Sequence, residues 1–159
     1  MRVLALLLSV TTLAVAAPED LRPPAYQGVT PGEENLPPRA PKLPVGGPVR
    51  MTWPGFQVSE GVPRVFIELT GPIDWSVAES RGQLVYTLKQ VVVPLRNNRR
   101  PLNVAEFQTA VTHVAVRPQG HNVQLVIRLR ERARVAHREH LEGAAGGFKL
   151  LMIELTPEG

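Results

Sequence analysis

Cysteine is absent from the 159 residues. That excludes a disulfide framework, a thiol nucleophile and a lipid-bearing cysteine behind the N-terminal apolar stretch. Serine is scarce. Past residue 16 there are only Ser59, Ser76 and Ser80, none in a Gly-x-Ser-x-Gly setting. Aspartate is scarcer still, and past residue 48 the only one is Asp74. No Gly-rich phosphate loop and no His-Glu-x-x-His pair occurs. The histidines are His113, His121, His137 and His140. "HREH" puts two of them three apart, which a strand sends to opposite faces, and no Cys or Asp stands near to complete a metal set. His113 and His137 read as boundary residues at inner-face parity. The residues thus call for no enzyme, metal or cofactor. After the N-terminus no run is long and apolar enough to span a bilayer, which takes about 20 residues.

What is present is organised in three parts. "MRVLALLLSVTTLAVAAPED" has a positive start at Arg2, an apolar stretch from Val3 to Val15 and small residues at Ala14 to Ala16. It reads as a signal peptide over 1–16, cut after Ala16, so the chain is expected to be exported. Nine prolines then crowd residues 17–48. Such a stretch cannot bury enough surface to offset its ordering, so it reads as a disordered, polyproline-biased linker. "PPRAPKLP" is the part of it that a proline-reading partner would take.

Residues 49–157 read as one domain of short strands. "RVFIELTG" alternates Val65, Ile67 and Leu69 inward with Phe66, Glu68 and Thr70 outward. "QLVYTLKQVVVPL" is a longer β-rich run closed by Pro94. "TAVTHVAVRP" alternates Val111, His113 and Ala115 against Thr112, Val114 and Val116. "NVQLVIRLR" and "FKLLMIELTP" follow, and "LNVAEFQ" reads as a short helical turn. Turn signals such as "SRGQ", "RNNRRP" and "EGAAGG" separate them. The fold class is all-β, a sandwich or a barrel.

A shift of 60 residues lays "RVFIELTGPIDWSVAES" over "VQLVIRLRERARVAHREH". Val65 meets Leu125, Ile67 meets Ile127, Leu69 meets Leu129 and Trp75 meets Val135. After a longer second loop, "LVYTL" meets "LMIEL". The domain therefore reads as a duplicated strand unit, two copies packed face to face. Glu68 stands where Arg128 stands, and Asp74 where Arg134 stands, which predicts that these places face solvent.

Charge is polarised. From Arg96 to Arg138 there are nine arginines and two glutamates, an excess of +7, against +4 for the whole chain. Arg128, Arg130, Arg132 and Arg134 recur every second residue, which is strand spacing and not that of a basic helix. Glu131 at inner parity predicts a turn near Glu131–Ala133. The row either keeps edges soluble or presents forks that suit carboxylate and phosphate. Export points away from nucleic acid and towards acidic envelope polymers. Trp53 and Trp75 read as core residues.

"RVFIELTG", "WSVAES", "GQLVYTLKQVVVPL", "NVAEFQTAVTHVAVRPQGHNVQLVIRL", "RVAHRE" and "FKLLMIEL" together resemble an AMIN domain over roughly Arg50 to Thr156. The resemblance implies a small β-sandwich of two short sheets that acts as a targeting module in the bacterial periplasm, which is where the chain is expected. It also implies a role beside peptidoglycan amidases or type IV pilus secretins, without a catalytic residue to carry over. No amidase or secretin follows Gly159 in this sequence, so a free-standing cell-wall adaptor, or one with a separate partner protein, is expected. The candidate contact residues are Arg96, Asn97, Asn98, Arg99 and Arg100 of the "RNNRRP" turn, with Arg128, Arg130, Arg132 and Arg134. Peptidoglycan or another acidic envelope polymer is the expected partner. The alternative is a secretin, amidase or pilus protein bound through a sheet edge.

Overall fold

The computed structural model describes Gly28, residues 46–80 and residues 82–158. The expected signal peptide and, apart from Gly28 and 46–48, the expected linker lie outside the described residues. The described chain is all-β. Ten strands run β1 (Val49–Ser59), β2 (Val62–Leu69), β3 (Trp75–Ser80), β4 (Gln83–Leu88), β5 (Val91–Val92), β6 (Leu102–Asn103), β7 (Val111–Gln119), β8 (Asn122–Leu129), β9 (Val135–Gly143) and β10 (Lys149–Pro157). The first sheet has the order β5-β1-β2-β10-β9 and the second β3-β4-β8-β7-β6. All neighbours are antiparallel except β1 and β5.

The core between the sheets comes from the alternation. Val65, Ile67 and Leu69 face Val123, Leu125 and Ile127 across it, all at 0 % exposure. Leu84, Tyr86 and Leu88 of β4 and Leu151, Ile153 and Leu155 of β10 complete it. Each fully buried Val, Leu or Ile contributes about 1.5–3 kcal/mol. With no cysteine to staple it, the domain stands on this burial and on ladder pairing.

The duplication is real in register. Ser59 pairs with Val62 as Gln119 pairs with Asn122, and Met51 pairs with Leu69 as Val111 pairs with Leu129. Both hairpins carry a bulge at the same place, between Met51 and Trp53 and between Val111 and His113. The copies do not each build a sheet, however. The β1–β2 hairpin pairs with β10 and β9, and the β7–β8 hairpin with β4 and β3. Each sheet therefore holds half of each copy, and neither copy can cover its apolar face alone.

Several expectations change. The bulge at Thr112 reverses the parity of β7, so Val114 and Val116 point inward while His113 and Ala115 do not. "QLVYTLKQVVVPL" divides at Lys89–Gln90, and its halves β4 and β5 join different sheets. "LNVAEFQ" holds a two-residue strand and a 3₁₀ turn over Ala105–Phe107. In β9 the ladder is longer than in β3: Leu155 pairs with His137 as Leu88 pairs with Trp75, so His137 takes the place expected of Val135. Glu68 is not solvent-facing but 4 % exposed, and Thr52 Oγ1 donates to its Oε1 at 2.9 Å. The cause is a second apolar cluster on the outer face of the first sheet. Phe66, Leu150 and Met152 are buried there, with Trp53 and Ala144 against them. Asp74, Arg128 and Arg134 are exposed. Trp75 packs on the main core.

Candidate functional site

The chain leaves the second sheet at Leu129 and enters the first at Val135. A turn carries it across, closed by the Ala133 N–H donating to the Arg130 carbonyl at 3.0 Å. Arg132 sits in the left-handed region, at φ 63°. Its neighbours fix the junction. Leu129 N–H donates to the Gly82 carbonyl at 2.8 Å, Arg130 N–H to that of Ala110 at 2.7 Å, and Glu158 N–H to that of Arg134 at 3.1 Å. Between this junction and the β3–β4 turn lies a cleft of about 900 Å³. Glu79, Glu131, Arg132, Arg134 and Glu158 line it, with Ser80 and Gly82.

The arginines of the junction divide by what they touch. Arg130 is occupied: Nε donates to the Thr109 carbonyl at 3.1 Å and Nη2 to that of Ala105 at 2.9 Å, tying down the 3₁₀ turn before β7. Arg128 is exposed on the outer face of the second sheet, beside Gln83 and His113. Arg132 and Arg134 are exposed at the cleft.

The "RNNRRP" residues lie elsewhere. Arg96–Arg99 form a 3₁₀ turn packed against β1 and β7, on the flank where β5 and β6 end the sheets. Asn98 is buried, and its side-chain amide donates to the Thr52 carbonyl. Arg99 Nη2 donates to the Val93 carbonyl at 2.8 Å. Arg96, Asn97 and Arg100 are exposed. The two candidate groups are therefore on different flanks and do not form one continuous surface.

A polar cluster beside the cleft escaped the sequence reading. His137 of β9 meets Glu79 of β3 through Nε2 at 2.6 Å and Glu139 through Nδ1 at 2.6 Å. The Tyr86 hydroxyl donates to Glu139 Oε1 at 2.8 Å. Burial disfavours the imidazolium, but the hydrogen bonds to Glu79 and Glu139 outweigh it and raise the His137 pKa above its ordinary value. Burial likewise disfavours the Glu139 carboxylate, yet the bonds from Tyr86 and His137 hold its pKa below the ordinary one. Burial and then Glu139 push the Tyr86 hydroxyl far up, so it stays protonated and donates. The cluster thus links β9 of one sheet to β3 and β4 of the other. His137 and Glu139, two apart on one strand, were its legible half. Glu79 and Tyr86 come from another part of the chain.

Among the described residues no group of three or more His, Cys, Asp or Glu side chains is placed to hold a metal. No helix among them is long and apolar enough to cross a membrane. A family model described as the AMIN domain matches residues 56–141, from within β1 to within β9. No curated protein matches the chain.

Proposed function

The chain belongs to the AMIN domain family, and from that premise we propose that it is an exported, non-catalytic module that engages peptidoglycan or a cell-envelope complex in the periplasm. The family match carries this reading, because it spans both flanks and the whole β8–β9 junction. The exposed guanidiniums of Arg128, Arg132 and Arg134 support it, since planar forks bind carboxylates in pairs. Sedimentation with purified sacculi tests it. The exported chain pellets at low salt, and Arg128→Glu with Arg134→Glu weakens pelleting about tenfold and flattens its salt dependence. Wild-type chain left in the supernatant at low salt refutes the reading.

A second reading, an accessory subunit of a pilus or secretin assembly, is favoured by β3. It is an edge strand with Ser76, Val77 and Ala78 exposed and neither lysine nor proline within it. Such an edge can accept a partner strand. The other flank ends in two-residue strands next to Pro94 and Pro101. Val77→Lys is expected to abolish co-purification of a pilus or secretin protein while sparing pelleting with sacculi. Unchanged co-purification would remove the edge from the account.

A further inference from the structure

We propose that the cleft at the β8–β9 junction is a zwitterion site that takes the peptide arm of peptidoglycan and not its sugar chain. This rests on the peptidoglycan reading above. The lining decides the chemistry. Two arginines share the cleft with three glutamates, Glu79, Glu131 and Glu158. A uniform polyanion would gain from the first pair and be repelled by the second set. A ligand with both signs is stabilised at both. The uncross-linked peptide arm has that character, with free carboxylates and a free amine a few bonds apart.

Four observations support this assignment. Arg132 and Arg134 face the cleft, and among the described residues neither is held in an ion pair or a side-chain hydrogen bond. Opposite charges therefore stand around the same space without closing on each other. The volume, about 900 Å³, suits a few residues of peptide. The walls are set in advance by the backbone bonds of Leu129 to Gly82 and of Glu158 to Arg134. Glu79 is further anchored by His137 at 2.6 Å, so its carboxylate does not have to be ordered on binding.

The duplicated fold supplies its own control. The crossover of the first copy reads Thr70-Gly71-Pro72-Ile73-Asp74, with no arginine. It lines a cleft of about 750 Å³ whose other wall is Gly47 to Val49 with Asn122, and it is held by the Lys89 N–H donating to the Asp74 carbonyl at 2.9 Å, as the Glu158 N–H donates to that of Arg134. The architecture therefore does not require Arg132 or Arg134. They are an addition of the second copy, and the arm's carboxylates would seat on their forks while its amine meets Glu131 and Glu158.

The experiment compares intact sacculi with sacculi whose peptide arms an amidase has removed, using the exported chain. Affinity for intact sacculi is expected to exceed that for stripped glycan by about tenfold or more. Arg132→Ala with Arg134→Ala loses the same factor on intact sacculi, and so does Glu131→Gln with Glu158→Gln. All four side chains are exposed, so these variants keep the wild-type melting temperature. Asp74→Asn with Lys89→Ala, in the other cleft, leaves binding unchanged. Equal pelleting with intact and stripped sacculi overturns the peptide-arm assignment and leaves the peptidoglycan function standing. Failure to pellet with intact sacculi overturns that function itself.

Discussion

Gly55→Ala is expected to destabilise the domain by about 3 kcal/mol, read as a lower urea midpoint with an unchanged slope. Gly55 lies directly across the β1–β2 ladder from Phe66. A Cβ added there would stand 2.1 Å from the Phe66 Cζ, with both Cε atoms within 2.7 Å. The ring has nowhere cheap to go. It is fully buried, with the Trp53 ring edge-on at 5.1 Å and Leu150 and Met152 beside it. The glycine is thus the floor on which the outer cluster rests. A second variant separates this steric account from a loss of strand propensity. Phe66→Ala alone removes a buried aromatic, at about 3–5 kcal/mol. In the Gly55→Ala background it costs much less, because the clash disappears with the ring. Strict additivity of the two changes would refute the account.

His137→Gln is expected to cost about 2 kcal/mol near pH 5.5 and to remove most of the pH dependence of stability between there and pH 8.5. The side chains of His137 and Glu139 are 14 % and 19 % exposed, so their pairing is screened far less than a surface ion pair. Glu79 is 63 % exposed and adds little of its own. The direction follows from the pKa shifts. His137 is raised in the folded state, so its contribution is complete below the unfolded value of about 6.5 and is lost as pH rises through the folded one. Glu139 is lowered, so its contribution is complete above about 4.3 and is lost as pH falls through the folded value. The cluster stabilises most between those two unfolded values. Urea titrations at pH 5.5 and 8.5 check this. Wild type should weaken at the higher pH and the variant should not; equal weakening in both would clear His137 of the role.

The absence of a helix and the turn at Glu131–Ala133 were legible because side-chain period and inner-face parity are local properties, but of the expected strand row only Arg128 stands in a strand, and Arg130, Arg132 and Arg134 lie in the turn between β8 and β9. So was the duplication, since Val65, Ile67 and Leu69 and their counterparts repeat at a fixed distance. What stayed hidden depends on pairing. Alternation says which face of β4 is apolar, and nothing about whether β3 or β8 lies beside it, so the exchange of strands between copies could not be read. The Thr112 bulge is one extra residue with no compositional mark, and it reversed the reading of His113. Glu68 looked like a solvent residue because the cover of its face, Phe66 with Leu150 and Met152, is assembled from β2 and β10. At the candidate site the arginines were legible as a row. Only the fold shows that Arg130 holds the Thr109 and Ala105 carbonyls, that Asn98 is spent on Thr52, and that three glutamates share the cleft with Arg132 and Arg134.

The exchange of strands also decides how the domain meets a pulling force. β1 and β10 both run antiparallel to β2, which lies between them, so they run parallel to each other. The chain enters at Val49, at one end of β1, and leaves at Pro157, at the opposite end of β10. Tension applied through these two points drags β1 and β10 lengthwise past β2. Ladder bonds lie across the strands, so in this geometry they share the load together instead of opening one after another. A domain pulled this way yields late and all at once.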